Sequence, residues 1–263
     1  GDDTYTGSTN VTGGTLNLGA NLNTTGIRVR NSTGISVTGG KLIIGSALAH
    51  ANRDLFVVGG TGLSVTGNAG TLDLGTNDLD ITNAGATGLA MVTSLLRSGY
   101  ANGAWTGPGI VSSAAAAASS HLFALGTILN NGTYGIGAGS LGAFDTINPG
   151  TPDVLVKYTY YGDANLDGKV DGSDYSLIDA GYASHGSLTG WFNGDFNYDG
   201  VIDGSDYSLI DNAFNNQTLN LSTSALVATA TAQVVGAAVP EPTTLAAALL
   251  AAGALLRIKP GRR

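Results

Sequence analysis

Ten of the nineteen acidic residues of this 263-residue chain lie between Asp163 and Asp211, and they fall into two copies of one pattern 32 residues apart. The first copy is Asp163-Ala164-Asn165-Leu166-Asp167-Gly168-Lys169-Val170-Asp171-Gly172-Ser173-Asp174. The second is Asp195-Phe196-Asn197-Tyr198-Asp199-Gly200-Val201-Ile202-Asp203-Gly204-Ser205-Asp206. Each continues as Tyr-Ser-Leu-Ile-Asp, and 13 of the 20 positions counted from Asp163 and from Asp195 are identical. Four carboxylates within twelve residues repel one another unless a cation lies among them. Calcium takes six to eight oxygens, and a twelve-residue loop supplies them from positions 1, 3, 5, 7, 9 and 12. Those positions hold Asp163, Asn165, Asp167, the Lys169 carbonyl, Asp171 (directly or through water) and Asp174. In the second copy they hold Asp195, Asn197, Asp199, the Val201 carbonyl, Asp203 and Asp206. Gly168 and Gly200 occupy position 6, where the chain must turn sharply. Val170 and Ile202, at position 8, are expected to pack loop against loop. Two Ca²⁺ are therefore expected, with binding coupled to folding. Asp-Gly and Asn-x-Asp are also simple turn formers, but that does not account for two copies with every ligand position filled. Leu177, Ile178, Leu209 and Ile210 read as core, as do Trp191, Phe192, Tyr182 and Phe214.

Both loops depart from the general EF-hand pattern. They end in Asp rather than Glu, and each follows an aromatic-x-Gly step, Tyr160-Tyr161-Gly162 and Phe192-Asn193-Gly194, instead of an amphipathic helix. In this the segment 160–215 resembles the type I dockerin module. The resemblance implies a small α domain made of a duplicated half EF-hand that binds a cohesin-like partner when calcium is present. It also implies that the pair before the last ligand helps choose the partner: Gly172 and Ser173, and Gly204 and Ser205. Because the pair is the same in both halves, two equivalent binding orientations are expected.

Residues 1–85 repeat as well. Val11-Thr12-Gly13-Gly14-Thr15-Leu16-Asn17-Leu18-Gly19 is echoed at Val37–Gly45 and, stretched, at Val65–Gly75, a period of about 26–30 residues. Apolar residues two apart, broken by Gly and Asn turns, read as short strands. One such unit cannot bury its apolar face, whereas stacked units can, so a parallel β-solenoid is expected. Leu16, Leu18, Leu42, Ile44, Leu72, Leu74, Leu79 and Ile81 should point inward. Composition agrees: there are 41 Gly and a single Glu, which suits turns and strands better than helices. With no Cys, disulfides, thiolate catalysis and cysteine-ligated zinc are excluded. The stretch Thr4-Tyr5-Thr6-Gly7-Ser8-Thr9-Asn10-Val11-Thr12-Gly13-Gly14-Thr15-Leu16 resembles the autotransporter-associated β-strand repeat.

Residues 86–161 read as a small helical and β cap or connector. Leu89, Val92, Leu95 and Leu96 mark one helical face ended by Gly99. Ser112 and Ser113 cap a helix at Ala114–Ala118. Leu122–Leu129 is strand or helix, and Val154–Tyr161 is a strand. The calcium segment takes 162–215 and a Thr- and Ala-rich linker 216–238. The last part, 239–263, has Pro240-Glu241-Pro242, a short apolar run Leu245–Leu256 expected as a hydrophobic helix, and then Arg257, Lys259, Arg262 and Arg263. This three-part order resembles the PEP-CTERM sorting signal. It implies processing by an exosortase-type membrane enzyme, a transient C-terminal membrane segment, and export to the surface of a bacterium with a two-membrane envelope. The chain starts at Gly1 rather than Met, so it is read as a fragment or a processed chain.

A net charge of −8 with only 11 Lys and Arg gives no footprint for nucleic acid. His50, His121 and His185 are scattered, and no catalytic constellation stands out. The expected protein is mainly β, exported and non-catalytic: a scaffold or adhesin carrying a calcium-dependent docking module. The rival reading is a polysaccharide-binding or polysaccharide-degrading β-helix. There Asp73, Asp78 and Asp80 would face outward and converge in a groove near Arg28, Arg30 or Arg53; otherwise they are polar outer-face and turn residues. The sequence does not decide whether the calcium module docks a partner or only clamps the end of the repeats.

Overall fold

Each copy of the N-terminal repeat becomes three strands. The first gives β1 (Thr9–Val11), β2 (Thr15–Asn17) and β3 (Gly26–Ser32), and the second β4 (Ile35–Val37), β5 (Lys41–Ile43) and β6 (Asp54–Gly59). The third gives β7 (Leu63–Val65), β8 (Thr71–Asp73) and β9 (Asp78–Thr82). This computed structural model describes residues 7–18, 26–32, 34–45, 54–59, 62–66, 69–131, 144, 147–219 and 221. Strands of like position pair in parallel and bring like residues together: Val11 to Val37 to Val65, and Leu16 to Leu42 to Leu72. Three sheets result, ordered β1-β4-β7, β10-β8-β5-β2 and β11-β12-β9-β6-β3, where β10 is Gly109–Val111, β11 Phe123–Asn130 and β12 Asp153–Tyr160.

The turn glycines permit this stacking. A Cβ on Gly40 would lie 2.7 Å from the Gly14 carbonyl oxygen and 2.8 Å from Val11 Cγ1, so the repeats could not approach so closely. The stacked strands bury Val37, Leu42, Ile44, Leu72, Leu74, Leu79 and Ile81, each worth about 1.5–3 kcal/mol relative to exposure. Leu16 departs from expectation. It is 38% exposed, because β2 is the terminal strand of its sheet and no further repeat covers it among the described residues. Leu18 is partly buried against the core.

The chain then folds back on the stack. Helix α1 (Gly85–Tyr100) buries Gly88, Val92, Leu96 and Gly99. Gly99 does not end the helix; Ala101 does, with φ 46°. Gly99 is small because a Cβ there would lie 2.0 Å from the Ile110 carbonyl oxygen. Strand β10 (Gly109–Val111) pairs in parallel with β8, so the cap segment adds a fourth strand to the second sheet. Ser112 caps α2 (Ser113–Ala117) by accepting from Ala115 N at 2.9 Å. The ambiguous apolar run is a strand, β11 (Phe123–Asn130), antiparallel to β12 (Asp153–Tyr160), which also pairs with β9. All eight residues of β12 are buried, so its sequence alternates only loosely.

Asp73, Asp78 and Asp80 do not face outward; all three are buried. Asp78 and Asp80 share the face of β9 opposite Leu79 and Ile81, so both faces of this strand are buried. Asp73 accepts from Gly75 N and Ser113 N and pairs with Lys41 at 2.9 Å. Asp78 accepts from Tyr158 N at 2.8 Å and lies 3.8 Å from the buried Lys157 ammonium. Among the described residues neither oxygen of Asp80 has a hydrogen-bond partner. Burial, with Asp153 nearby, pushes its carboxyl up to about 7. The side chains of Arg28 and Arg30 and all of Arg53 and His50 lie outside the described residues, as does the segment 222–263 with Pro240, Glu241 and Pro242. Among the described residues no helix is long and apolar enough to cross a membrane. Gly1–Ala225 forms one compact unit, so the acidic loops and the sheets belong together.

Candidate calcium site

Strand β12 delivers the first loop and a short 3-10 turn, Trp191–Asn193, delivers the second. The aromatic-x-Gly step makes each entry. Gly162 (φ 91°) and Gly194 (φ 110°) adopt left-handed backbone, and a Cβ on either would lie 2.5 Å from Ile210 or Ile178 Cγ1 respectively. Ile178 belongs to α3 (Gly172–Ala183) and Ile210 to α4 (Gly204–Asn216), the helices that follow the two loops. Each loop entrance therefore seats on the helix of the other half, and the two halves fold as one.

Within each loop the acids fold the backbone around themselves. Asp163 accepts from Asp167 N and Gly168 N, both at 2.9 Å, and from the Thr159 hydroxyl on β12. Asn165 Oδ1 accepts from Asp167 N at 2.9 Å, and Asp167 Oδ1 from Lys169 N at 3.1 Å. The second loop repeats this: Asn197 accepts from Asp199 N, Asp199 from Val201 N and Asp195 Oδ2 from Gly200 N. Gly168 and Gly200 make the position-6 turn with φ 90° and 91°. Positions 9 and 12 also start the helices. Asp171 and Asp174 form a capping box on α3, and Asp203 and Asp206 form one on α4. The same carboxylates thus fix the loop and nucleate the helix.

The electrostatics call for a cation. Burial drives the Asp163 carboxyl well above the usual carboxylate range, Asp174 up to about 7 and Asp195 up to about 6, with neighbouring Asp charges adding in each case. Asp206 is also raised by burial. Asp195 Oδ1 is buried and, among the described residues, has no hydrogen-bond partner. A buried carboxylate without a counter-charge costs several kcal/mol. Hard oxygen donors on a flexible loop suit Ca²⁺. Among the described residues no three carboxylate or imidazole groups are gathered into a ready-made metal cluster. The loop acids instead accept from backbone amides of their own loops.

The two loops differ at position 7. The Lys169 ammonium pairs with Asp171 and lies 3.6 Å from Asp167 Oδ2. Its hydrogen bond, the largest influence, holds Asp171 down at about 2. Val201 brings no charge to the second loop. At position 8, Val170 is buried and Ile202 packs against the same core. Val170 N donates to Gln217 Oε1 at 2.8 Å and Gln217 Nε2 returns a bond to Val170 O at 2.6 Å, while Ile202 sits against Gly181 of α3.

Trp191 is core as expected and Phe192 partly so, but Tyr182 is 54% and Phe214 47% exposed. The buried face of α3 runs through Asp174, Ile178 and Gly181, and that of α4 through Asp206, Ile210 and Ala213, which leaves the next residue along to solvent. There the helices brace each other: Tyr175 donates to Asp211 and packs edge-on to Phe214, and Tyr207 donates to Asp179 and packs on Tyr182. Gly172, Ser173, Gly204 and Ser205 are exposed at the first turns of α3 and α4. Thr159, Arg97 and Gln217 touch the loops, and nothing in the sequence marks them.

Residues 161–215 match the family model of the Dockerin type I domain. No curated protein and no solved structure matches the chain. The dockerin module supports calcium binding and a calcium-dependent role in protein docking, of the kind typical of extracellular or cell-surface proteins.

Proposed function

We propose that this chain is an exported, non-catalytic scaffold of the cell surface or extracellular space that docks a cohesin-like domain through its calcium-loaded dockerin module. The observation that carries the reading is two alike acidic loops that each lead into an exposed helix start, Gly172-Ser173 and Gly204-Ser205. Two Ca²⁺ are held, one by Asp163, Asn165, Asp167, the Lys169 carbonyl, Asp171 and Asp174, the other by the equivalent set from Asp195 to Asp206. Calcium supplies the positive charge that lets the buried acids ionise together. The protein's part is to hold those acids in register and, through Asp171 and Asp203, to present the first turns of α3 and α4. The stacked strands are a β-solenoid scaffold of the autotransporter-associated type. The Pro240-Glu241-Pro242 tail routes the chain outward through an exosortase-type enzyme.

Burial of Asp73, Asp78 and Asp80 leaves no outward acid pair among them for polysaccharide hydrolysis. The test is binding of the full chain to immobilised type I cohesin domains. Binding in calcium that is abolished by EDTA, survives Ser173→Asp or Ser205→Asp alone and is lost in the double variant supports both docking and two orientations. Absence of binding to every cohesin tried, in saturating calcium, sinks the docking reading.

A further inference from the structure

The dockerin module does not hang from the sheets on a tether; both calcium loops are plugged into them at one point. Position 4 of the second loop is Tyr198, which is buried, and its hydroxyl donates to the Leu125 carbonyl of β11 at 2.6 Å. Its ring stacks on Trp191 at 5.6 Å and meets Tyr100, the last residue of α1, and Trp105 edge-on at 5.3 and 6.1 Å. The main-chain carbonyl of Tyr198 accepts from Arg97 Nε on α1.

Position 4 of the first loop is Leu166, also buried, and it reaches the neighbouring residue of β11. A Cβ on Gly126 would lie 2.6 Å from Leu166 Cδ2 and 2.7 Å from the Trp191 indole. The two plugs thus converge on Leu125-Gly126. Further ties run to the first loop itself. Thr159 of β12 donates to the Asp163 carboxylate, the Trp191 indole donates to the Asp163 carbonyl at 2.7 Å, and Leu221 N donates to Gly168 O at 2.8 Å.

Leu166 and Tyr198 both stand in left-handed backbone, with φ 60° and 61°. Large side chains adopt that conformation only when their surroundings impose it. Here the surroundings are the ligand residues on either side, Asn165 and Asp167, and Asn197 and Asp199. The shape that presents each plug to β11 is the shape of a calcium loop.

From this we infer that the module is also an intramolecular calcium clamp: loading the two loops locks β11, β12 and α1 together, and removing calcium loosens them. The inference rests on the calcium reading above and adds a role that requires no partner. It predicts thermodynamic linkage, since a cation that binds only the docked loop shape stabilises whatever that shape holds.

The experiment is hydrogen exchange read by mass spectrometry on the full chain, in saturating calcium and in EDTA, for wild type, Tyr198→Ala and Arg97→Gln. In wild type, calcium should slow exchange in both loops and also, by about tenfold or more, in Phe123–Asn130 and the second half of α1. In Tyr198→Ala the loops should keep their calcium protection while β11 and α1 lose theirs. If Tyr198→Ala does not fold, Arg97→Gln, which removes one donor to the Tyr198 carbonyl, should weaken the coupling to α1 while sparing the loops. Calcium protection confined to the loops in wild type overturns the clamp and leaves calcium binding standing. Absence of calcium protection anywhere, the loops included, overturns both.

Discussion

Replacing Asp80 by Asn should stabilise this protein at neutral pH and above. In the folded chain its carboxyl is buried, lies near Asp153 and is raised from 3.8 to about 7. The folded state therefore holds a proton there that the unfolded chain releases near pH 4. The linkage sign follows: the contribution is fully favourable below the unfolded value and is lost as pH rises towards the folded one. At ~1.4 kcal/mol per pKa unit, the gap from 3.8 to about 7 amounts to at most about 4 kcal/mol lost between roughly pH 4 and pH 8. Asn keeps the shape and cannot ionise. Asp80→Asn should therefore match wild type near pH 3, exceed it by about 1.5 kcal/mol at pH 5 and by up to about 4 kcal/mol at pH 8. Urea unfolding followed by Trp fluorescence in saturating calcium, at pH steps across that range, measures the difference directly. The loop acids titrate equally in both proteins and cancel. Parallel stability curves for variant and wild type, or a variant that is less stable at pH 8, would refute the reasoning.

Three further outcomes are expected. Lys169→Val removes an ammonium 3.6 Å from Asp167 Oδ2, a proposed ligand oxygen; it should tighten calcium binding at the first loop by roughly threefold to tenfold in calorimetry, in line with the ~1 kcal/mol scale of such pairs. Gly126→Ala places a methyl 2.6 Å from Leu166 and 2.7 Å from Trp191, and should cost about 1–3 kcal/mol in urea unfolding. Leu42→Ala should cost about 2–5 kcal/mol, whereas Leu16→Ala, 38% exposed on the terminal strand, should cost about 1 kcal/mol; equal losses would contradict the terminal placement of β2.

The calcium-loop segment was legible because the same residue types recur at the same spacing from Asp163 and from Asp195, and the family match falls on that segment. The repeat was legible because in-register stacking brings like residues together, as at Val11, Val37 and Val65. What escaped was set by tertiary placement. The partners of Asp78, Tyr158 N and the Lys157 ammonium, come from β12, more than seventy residues downstream. Gly99 reads as a helix stop, yet it is small because β10 passes against it. Tyr182 and Phe214 have core-like side chains but stand one residue past the buried face of their helices. The docking of Tyr198 on β11 left one trace, an aromatic residue where the first loop has Leu166, and that trace does not name its receptor.

The most direct test of the account is calcium titration calorimetry on the full chain, with circular dichroism before and after EDTA. Two Ca²⁺ should bind per chain and helical signal from α3 and α4 should fall on chelation, because Asp171, Asp174, Asp203 and Asp206 cap those helices and are the proposed calcium ligands. No heat of binding, with helices unchanged by EDTA, would contradict this.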